Sequence, residues 1–453
     1  LLISLTPSHF RAPIIPSPIE PQDLVVKTVS GHESSHQSLR SPWTPVLVLV
    51  SKNNLSINDP AGNLASGGHS INADGKLVAF TSKASNLVQE DLNFTDDVFV
   101  SDLRSGQVNR ISLRESGVEH NWASGSPSIS GDGQLIVFRS YVTKLTTDTH
   151  GTYKIFLHDR DSTTNTLLKL SFDGTPVTSD LGEPGISGDG KFVAFSSRAN
   201  NLVPKTNSFT MDLFLHHIKS GQTNQIARQA VFSDINQDGR YITFLSTKVP
   251  DDHKGADRTR QVFIYDSHTQ ETHMASVNSA GKPGNGPSTS ASISASGRYI
   301  AFRSLANNLV PGDVNNTDDV FLHDRHNGTT TVISTAPDGS YGDGPSLGPS
   351  ISGDGRYIAF WSEASNMVPG IITSSFNIFV HDHLRKSTAL VSIGPDGSPA
   401  DGPSFLPSIS TDGKHITFLS SASNLGPVTD SNITHLFKGS NPLADMDESD
   451  DDI

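Results

Sequence analysis

Several residue types and patterns are missing from this chain of 453 residues. It contains no cysteine, which excludes a disulfide framework, thiol catalysis and cysteine-based metal sites. No apolar run approaches the roughly 18–20 residues that a membrane-spanning helix requires, so we expect no membrane span. Basic residues number 33 against 47 acidic ones, whereas a general nucleic-acid binder carries a basic patch. We therefore expect no nucleic-acid partner.

One motif is repeated seven times along the chain. In the sixth copy, residues 350–362, it reads SISGDGRYIAFWS, and the glycine of its Asp-Gly pair is followed five positions later by a phenylalanine. The aligned glycines are Gly75, Gly133, Gly190, Gly239, Gly297, Gly355 and Gly413. Their spacings are 58, 57, 49, 58, 58 and 58 residues. Such a period indicates a repeat architecture.

Each repeat encodes four antiparallel strands. Asp354-Gly355 lies between two strand-like runs, which is a strong hairpin signal. The second and third strands, Tyr357–Trp361 and Asn377–His381, are apolar at successive positions, so both of their faces must be covered. A more polar fourth strand is predicted at Thr388–Ile393. Four-stranded sheets covered on both sides and repeated in series predict the blades of a β-propeller.

The two ends of the chain predict how the ring closes. The last repeat supplies three strands, the third around His435–Phe437, while the run Pro45–Val50 precedes the first repeat. We therefore predict an all-β, seven-bladed β-propeller of four-stranded antiparallel blades, closed by an N-terminal strand that completes the last blade. The predicted bounds are 44–438 for the propeller, 1–43 for a linker or extended arm, and 439–453 for an acidic disordered tail.

The repeats resemble a known family. The SxDGxxIAFxS core followed by a DVFLHDR-like strand is similar to the TolB-type (WD40-like) β-propeller repeat, over essentially Val46–Phe437. That repeat occurs in periplasmic TolB and in many bacterial secreted proteins, and similar blades precede the catalytic domain of prolyl oligopeptidase relatives. The resemblance implies the fold and an exported location, whether periplasmic, cell-surface or secreted. TolB has six blades and an extra α/β domain, so its specific role is not implied.

Departures from the repeat indicate candidate binding residues. The interval from Gly190 to Gly239 is the short one, and a loop found in the other blades is replaced by an acidic sequence in blade four. The inner-strand positions that should line the central channel carry small residues except in blade four, which has Asp234. Binding residues concentrate on such irregular loops. The predicted binding residues are Asp251, Asp252, His253, Asp257 and Asp234.

Two loops share the pattern DxNxTDD, which suggests calcium. Calcium takes six to eight oxygen ligands, and alternating Asp and Asn side chains supply them. The alternative is that these side chains only cap local turns. The candidate ligands are Asp313, Asn315, Asp318 and Asp319 in one loop, and Asp91, Asn93, Asp96 and Asp97 in the other.

The sequence does not identify catalytic residues. No GxSxG nucleophile elbow precedes a predicted helix. His–Asp pairs such as His323-Asp324 recur at the end of the third strand, so we interpret them as part of the blade, with the Asp capping the following turn.

Three functions are consistent with these features. The first is a non-enzymatic scaffold that binds a protein partner in an exported or cell-envelope setting. The second is a polysaccharide lyase or glycoside hydrolase, which a deep pocket holding two carboxylates or a His–Arg–Tyr group would favour. The third is the propeller module of a larger enzyme, which the non-methionine start at Leu1 favours.

Overall fold

The computed structural model describes residues 47–53, 61–113, 122–142, 151–204, 210–248, 259–371, 375–428, 430 and 432–444. Every helix or strand within these ranges is a β-strand, and the 28 strands form seven four-stranded antiparallel sheets. The predicted seven-bladed propeller is therefore confirmed. Over the same ranges, no helix is long and apolar enough to cross a bilayer.

Six of the blades are built from four consecutive strands, numbered outward from the channel. Blade one contains β2 (Ser66–Ile71), β3 (Leu77–Ser82), β4 (Asp97–Asp102) and β5 (Gln107–Arg110), and blade two contains β6 (Ser124–Ile129), β7 (Leu135–Val142), β8 (Thr152–Asp159) and β9 (Thr164–Leu167). Blade three contains β10 (Gly185–Ile186), β11 (Phe192–Ser197), β12 (Asp212–His217) and β13 (Gln222–Ala227), and blade four contains β14 (Ala230–Ile235), β15 (Tyr241–Ser246), β16 (Gln261–Asp266) and β17 (Glu271–Met274). Blade five contains β18 (Ser288–Ile293), β19 (Tyr299–Ser304), β20 (Asp319–Asp324) and β21 (Thr329–Val332), and blade six contains β22 (Ser346–Ile351), β23 (Tyr357–Ser362), β24 (Asn377–Asp382) and β25 (Ser387–Leu390).

Blade seven is assembled from both ends of the described chain. Its sheet has the order β1 (Val48–Leu49), β28 (His435–Ser440), β27 (His415–Ser420) and β26 (Ser404–Ile409). Leu49 pairs with Phe437, and the Val50 amide donates to the Leu436 carbonyl at 2.8 Å. The N-terminal strand therefore completes the last blade, as predicted, although its described part has only two residues.

The Asp-Gly pairs form the predicted hairpins. In blade six, Gly355 adopts a left-handed conformation with φ of 81°, which a residue without a side chain adopts readily. The Asp354 carboxylate accepts a hydrogen bond from the Arg356 amide at 2.9 Å, and the Ser352 hydroxyl accepts one from the Tyr357 amide at 3.0 Å. Side chains of the motif thus satisfy the backbone donors of its own turn.

The fourth strand is shorter than predicted. In blade six it ends at Leu390 rather than Ile393. Beyond that point the hydrogen bonds to the third strand come from a side chain instead of the backbone. The Ser392 hydroxyl accepts a hydrogen bond from the Ile378 amide at 2.9 Å and donates one to Asn377 Oδ1 at 2.8 Å. The prediction extended the strand through residues that are apolar but leave the sheet.

Phenylalanines form the core of each blade. The one in the second strand of every repeat stacks on a phenylalanine of the third strand, with ring centroids 5.4–6.0 Å apart. Offset stacking of this kind adds to the stabilisation that burial provides. The pairs are Phe80–Phe99, Phe138–Phe156, Phe195–Phe214, Phe244–Phe263, Phe302–Phe321, Phe360–Phe379 and Phe418–Phe437.

The propeller has two different faces. The Asp-Gly turns lie on one, which we call the turn face, and the longer connections lie on the other, which we call the loop face. On the turn face, backbone hydrogen bonds link neighbouring blades around the channel, for example from Ala73 to Gly131 at 3.0 Å and from Gly131 to Gly188 at 2.8 Å. These bonds join neighbouring blades at the turn face, whereas the loop face carries the longer connections.

Candidate binding site at the channel mouth

A ring of inter-blade hydrogen bonds lines the channel. In each bond, the hydroxyl of the serine before the strand-one isoleucine accepts a hydrogen bond from the backbone amide of the equivalent isoleucine in the next blade. We call the boundary between two neighbouring blades a seam. The bonds are Ser70 to Ile129 at 3.3 Å, Ser128 to Ile186 at 3.1 Å, Ser292 to Ile351 at 3.4 Å and Ser350 to Ile409 at 3.1 Å.

Blade three breaks this pattern and Asp234 of blade four restores it. Gly185 stands where the other blades carry serine, so it offers no acceptor to the Ile235 amide. Asp234 accepts that amide itself, through Oδ1 at 2.8 Å. Its Oδ2 accepts the Ile293 amide of blade five at 2.9 Å and the Ser292 hydroxyl at 3.1 Å. One carboxylate thus satisfies the isoleucine amides of two blades.

Gly185 is required by its neighbour in blade four. A Cβ at position 185 would lie 2.3 Å from Cζ of Phe232, closer than any real contact. Phe232 also pairs with Phe244 in a bulge whose extra residue is Ser233. Ser233 in turn accepts the Ala291 amide at 3.0 Å and donates to the Ala291 carbonyl at 2.7 Å. We call the boundary between blades three and four the irregular seam. It combines three matched departures from the repeat, at Gly185, Phe232 and Asp234.

The position of Asp234 is unfavourable for a negative charge. Burial raises the pKa of its carboxyl to about 6, and the hydrogen bonds from Ile293, Ile235 and Ser292 only partly oppose this effect. All of these donors are neutral. A buried charge is usually paired with an opposite one, yet no described residue forms an ion pair with Asp234.

Asp234 lines two cavities. The wider one, which we call the mouth cavity, opens at the loop face and has a volume of about 640 Å³. The narrower one lies toward the turn face, with a volume of about 180 Å³. Small residues leave this space open: a Cβ at Gly68 would meet nothing within 4 Å. The mouth cavity is within the range of typical ligand sites.

Residues of five blades line the mouth cavity. Arg139 of blade two lies 3.5 Å from the Glu183 carboxylate of blade three, and its guanidinium is 4.9 Å from the centre of the Tyr153 ring. Ser126 also donates to Glu183, at 3.3 Å. Asp96 of blade one lines the cavity as well and lies 3.9 Å from the Lys83 amine. Three carboxylates therefore border the cavity against one guanidinium.

His69 is the remaining titratable group of this wall. Burial lowers its pKa to about 4, although a hydrogen bond to the Thr417 backbone opposes the shift, so the ring is neutral at physiological pH. Its Nε2 is buried and has no hydrogen-bond partner among the described residues. One ring nitrogen of this cavity-lining histidine is therefore buried without a hydrogen bond from the described residues.

The structure locates one residue of the predicted binding set, Asp234, and the binding role of the whole set stays a prediction. Asp251, Asp252, His253 and Asp257 lie outside the described residues, so their role stays a prediction. Asp234 is described, and it lines the channel as predicted. Its hydrogen bonds to the amides of its own blade and of blade five were not predicted.

The two DxNxTDD loops share a fold but differ in charge balance. In blade one, the Arg110 guanidinium lies 3.1 Å from Asp91 and 3.7 Å from Asp97. Blade five has Val332 at the position equivalent to Arg110: Arg110 pairs with Phe99, and Val332 pairs with the equivalent Phe321. The two loops therefore hold similar acids with different neutralisation.

In the blade-five loop, burial raises the pKa of Asp313 and raises that of Asp319 to about 6. Asn315 donates to Asp319 at 2.9 Å, and Asp318 is paired with Arg303 at 2.9 Å. The equivalent bond in blade one joins Asn93 to Asp97 at 2.8 Å. Among the described residues, no group of three or more His, Asp or Glu is arranged to hold a metal ion. Calcium binding stays a prediction.

The recurring His–Asp pairs stabilise the blades. His323 contacts Thr330 at 2.9 Å, and burial lowers its pKa to about 4. Asp324 caps the following turn by accepting the His326 amide at 2.9 Å, and Arg298 donates to its two oxygens at 2.9 and 2.7 Å. With both side chains engaged in this way, neither is placed for acid–base chemistry.

Several lining residues were missed at the sequence level. Arg139 occupies a position that varies freely among the repeats. His69 stands where four of the copies have proline, and Glu183 and Phe232 share a position at which four copies have glycine or serine. A position-by-position comparison of strand one marks His69 and Phe232 as departures. The meeting of Arg139 with Glu183 depends on side chains 44 residues apart and has no local signal.

One further motif lies outside the described residues. His32, Glu33 and His36 form an HExxH pattern, which binds zinc in metalloproteases when it lies on a helix. Its surroundings are rich in Ser, Pro and His without helical periodicity, so we assign no site to it.

Comparisons with known proteins support the fold. No protein-family profile and no curated protein sequence matches the chain. Among solved structures, the β-propeller domain of the Trilobed protease from Pyrococcus furiosus is similar with a TM-score of 0.53 and 10% identity, covering 83% of this chain and 94% of that one. An oligogalacturonate lyase from Vibrio parahaemolyticus is similar with a TM-score of 0.51 and 11% identity, covering 89% and 98%.

A protein described as TolB from Agrobacterium tumefaciens is also similar, with a TM-score of 0.42 and 12% identity over 76% of this chain and 96% of that one. The β-propeller fold that the TolB-type repeats imply is confirmed by the seven four-stranded sheets and by the two similar structures with TM-scores above 0.5. At these identities the comparisons do not assign an activity.

Proposed function

We propose that this propeller is a non-enzymatic binding module that captures a protein partner at the mouth cavity, in an exported or cell-envelope setting. The observation that carries the proposal is the mouth cavity itself, which is open to the loop face and lined by five blades. Loops held by a rigid scaffold are where binding residues concentrate. The location is an expectation from the TolB-type repeats alone.

The surroundings of the cavity favour a protein over a small solute. Eight exposed apolar side chains belong to the loop face or to the channel rim next to it. A partner that covers the loop face would bury these side chains, which a small solute in the cavity would not reach. These side chains are Leu64, Leu92, Phe94, Phe172, Val231, Leu305, Val314 and Leu406.

Blocking the cavity tests this function. Gly68→Phe places in blade one the residue that blade four carries at the same position, into space that is open around Gly68. We expect immobilised wild-type protein to retain a partner from an extract of the source organism, and the variant to lose it. Asp161→Asn, an exposed change on the opposite face, should retain it. In hydrogen exchange, the partner should protect Ser66–Ile71.

A partner retained equally by Gly68→Phe, or protection confined to the turn face, would contradict the proposal. Both variants should first be shown to melt at the wild-type temperature, so that a loss of binding is not a loss of folding.

A polysaccharide lyase or glycoside hydrolase is the second candidate. The mouth cavity holds His69, Arg139 and Tyr153, and it is bordered by carboxylates. Against this function, the Nε2 of His69 is buried and Arg139 is paired with Glu183. Incubation with acidic polysaccharides, with and without calcium, tests it: release of reducing or unsaturated ends that Glu183→Gln abolishes would establish the enzyme.

A further inference from the structure

We infer that the mouth cavity recognises a cationic side chain, lysine or arginine, of the protein partner, with Asp234 as the counter-charge. The inference rests on the proposed function and adds the chemistry that the site selects. It follows from the irregular seam, which puts a carboxylate at the inner end of an open cavity.

The first argument is the missing countercharge of Asp234. Three acids at the ends of third strands are paired with arginine: Arg240 with Asp266, Arg298 with Asp324 and Arg356 with Asp382, each at 2.7 Å. Asp234 has neutral donors only, and it still lines both cavities. A cation that enters from the loop face would supply the charge that the described residues do not.

The second argument is the balance of charge and hydrogen-bonding groups around the cavity. Asp96, Glu183 and Asp234 are all acceptors when ionised, and Arg139 is the single guanidinium among the lining residues. Arg139 is itself held by Glu183 and Tyr153. Such a wall matches a ligand that only donates, as ammonium and guanidinium groups do. An anion would meet the carboxylate of Asp234.

The third argument is the apolar ring beside the acid. Phe232 lines the mouth cavity together with Tyr153. Lysine and arginine bury their aliphatic stems against apolar surface while the charged end reaches a polar partner. Aromatic rings also attract cations directly. Both parts of such a side chain therefore find complementary groups here.

The probe for the test is the peptide acetyl-Gly-Arg-Gly-amide, compared with the peptide in which neutral citrulline replaces arginine. Titrations followed by NMR should show saturable binding of the arginine peptide to the wild-type protein. A charge-assisted hydrogen bond predicts binding of the citrulline peptide that is weaker by about tenfold or more. The citrulline comparison uses wild-type protein, so it does not depend on how a variant folds.

Two variants then test whether the arginine peptide binds in the mouth cavity and to the carboxylate of Asp234. Asp234→Ser gives blade four the residue of the regular seams and keeps an acceptor for the Ile293 amide, while Gly68→Phe fills the cavity and leaves Asp234 in place. Each should weaken binding of the arginine peptide by about tenfold or more. The exposed Asp161→Asn removes one negative charge elsewhere and should leave binding unchanged.

Equal binding of the citrulline and arginine peptides, or full binding by folded Asp234→Ser, would overturn the inference. Tight binding of spermidine together with no binding of the arginine peptide would also overturn it, because the cation would then be a free polyamine. If Gly68→Phe loses the captured partner while Asp234→Ser keeps it, the proposed function stands and the assignment to Asp234 falls.

Discussion

The seam between blades three and four can be compared directly with that between blades six and seven. In the regular seam, Ser350 gives one hydroxyl acceptor to one amide, that of Ile409. In the irregular seam, Gly185 gives none, and Asp234 covers both its own blade and the next. In both cases the isoleucine amide requires a hydrogen-bond acceptor, but at the irregular seam a carboxylate supplies it instead of a hydroxyl.

The comparison shows how a repeat protein can acquire a site without losing its ring. The backbone amide of each isoleucine must be satisfied because an unpaired buried donor is costly. A serine meets that need with no further property, whereas an aspartate meets it and adds a negative charge to the channel. The accompanying Phe232 and Gly185 shape the space beside that charge.

Removing the acceptor should have the largest effect, and a larger one in the irregular seam. Asp234→Ala leaves two buried amides without an acceptor, so we expect a loss of about 2–4 kcal/mol in the free energy of unfolding. Ser350→Ala leaves one, with an expected loss of about 1–2 kcal/mol. Urea denaturation measures both. Equal losses would show that Asp234 does not serve two blades.

Adding a side chain at Gly185 should have the next largest effect. Gly185→Ser forces a Cβ against the Phe232 ring, and overpacking of this kind costs about 1–3 kcal/mol. Phe232→Ser in the same protein should recover much of that loss, since it removes the atom that clashes. The double-mutant cycle is measured by thermal or urea unfolding, and additive losses would mean that the two positions are not coupled.

The pH dependence of Asp234→Ser should be smaller but specific. The pKa of Asp234 is about 6 in the folded protein, above its ordinary value of about 4, so the unfolded chain releases this proton at lower pH. Its contribution to stability is therefore present below about pH 4 and is lost as the pH rises through about 6.

A variant without the carboxyl lacks this pH-dependent contribution to the free energy of unfolding. The stability deficit of Asp234→Ser relative to wild type should therefore be about 1–2 kcal/mol smaller at about pH 7 than at about pH 4. Buried histidines titrate in both proteins, so their effect cancels in the difference. A deficit that grows between the two pH values would show that the carboxylate is stabilised, not penalised, in the folded state.

The smallest effect on stability is expected where blade one takes the residue of blade four. Gly68→Phe enters open space without a left-handed backbone, so the free energy of unfolding should change by less than about 0.5 kcal/mol. Binding, in contrast, should be lost. A strongly destabilised variant would show that the mouth cavity is less open around Gly68 than the structure indicates.

Much of the fold could be predicted from the sequence because its determinants are local and repeated. The Asp-Gly turn, the strand-two phenylalanine and the leftover strand at Val48–Leu49 each follow from residues next to one another. The fourth strand was overextended because the Ser392 hydroxyl ends it, and an apolar pattern does not show that bond.

The site was harder to predict because its parts come from different blades. Asp234 could be singled out as a departure from serine, but its link to Gly185 requires knowing that strand one of each blade faces the next. The pairing of Arg139 with Glu183 across two blades has no periodic signal. The acidic stretch from Asp251 to Asp257 stays a prediction.

The most direct test is to make the irregular seam regular. The triple variant Gly185→Ser, Phe232→Ser and Asp234→Ser gives the seam an acceptor at each position and removes both the charge and the ring. We predict that it folds with a free energy of unfolding within about 2 kcal/mol of wild type and no longer captures the partner. A folded triple variant that captures the partner as well as the wild-type protein does would contradict the account.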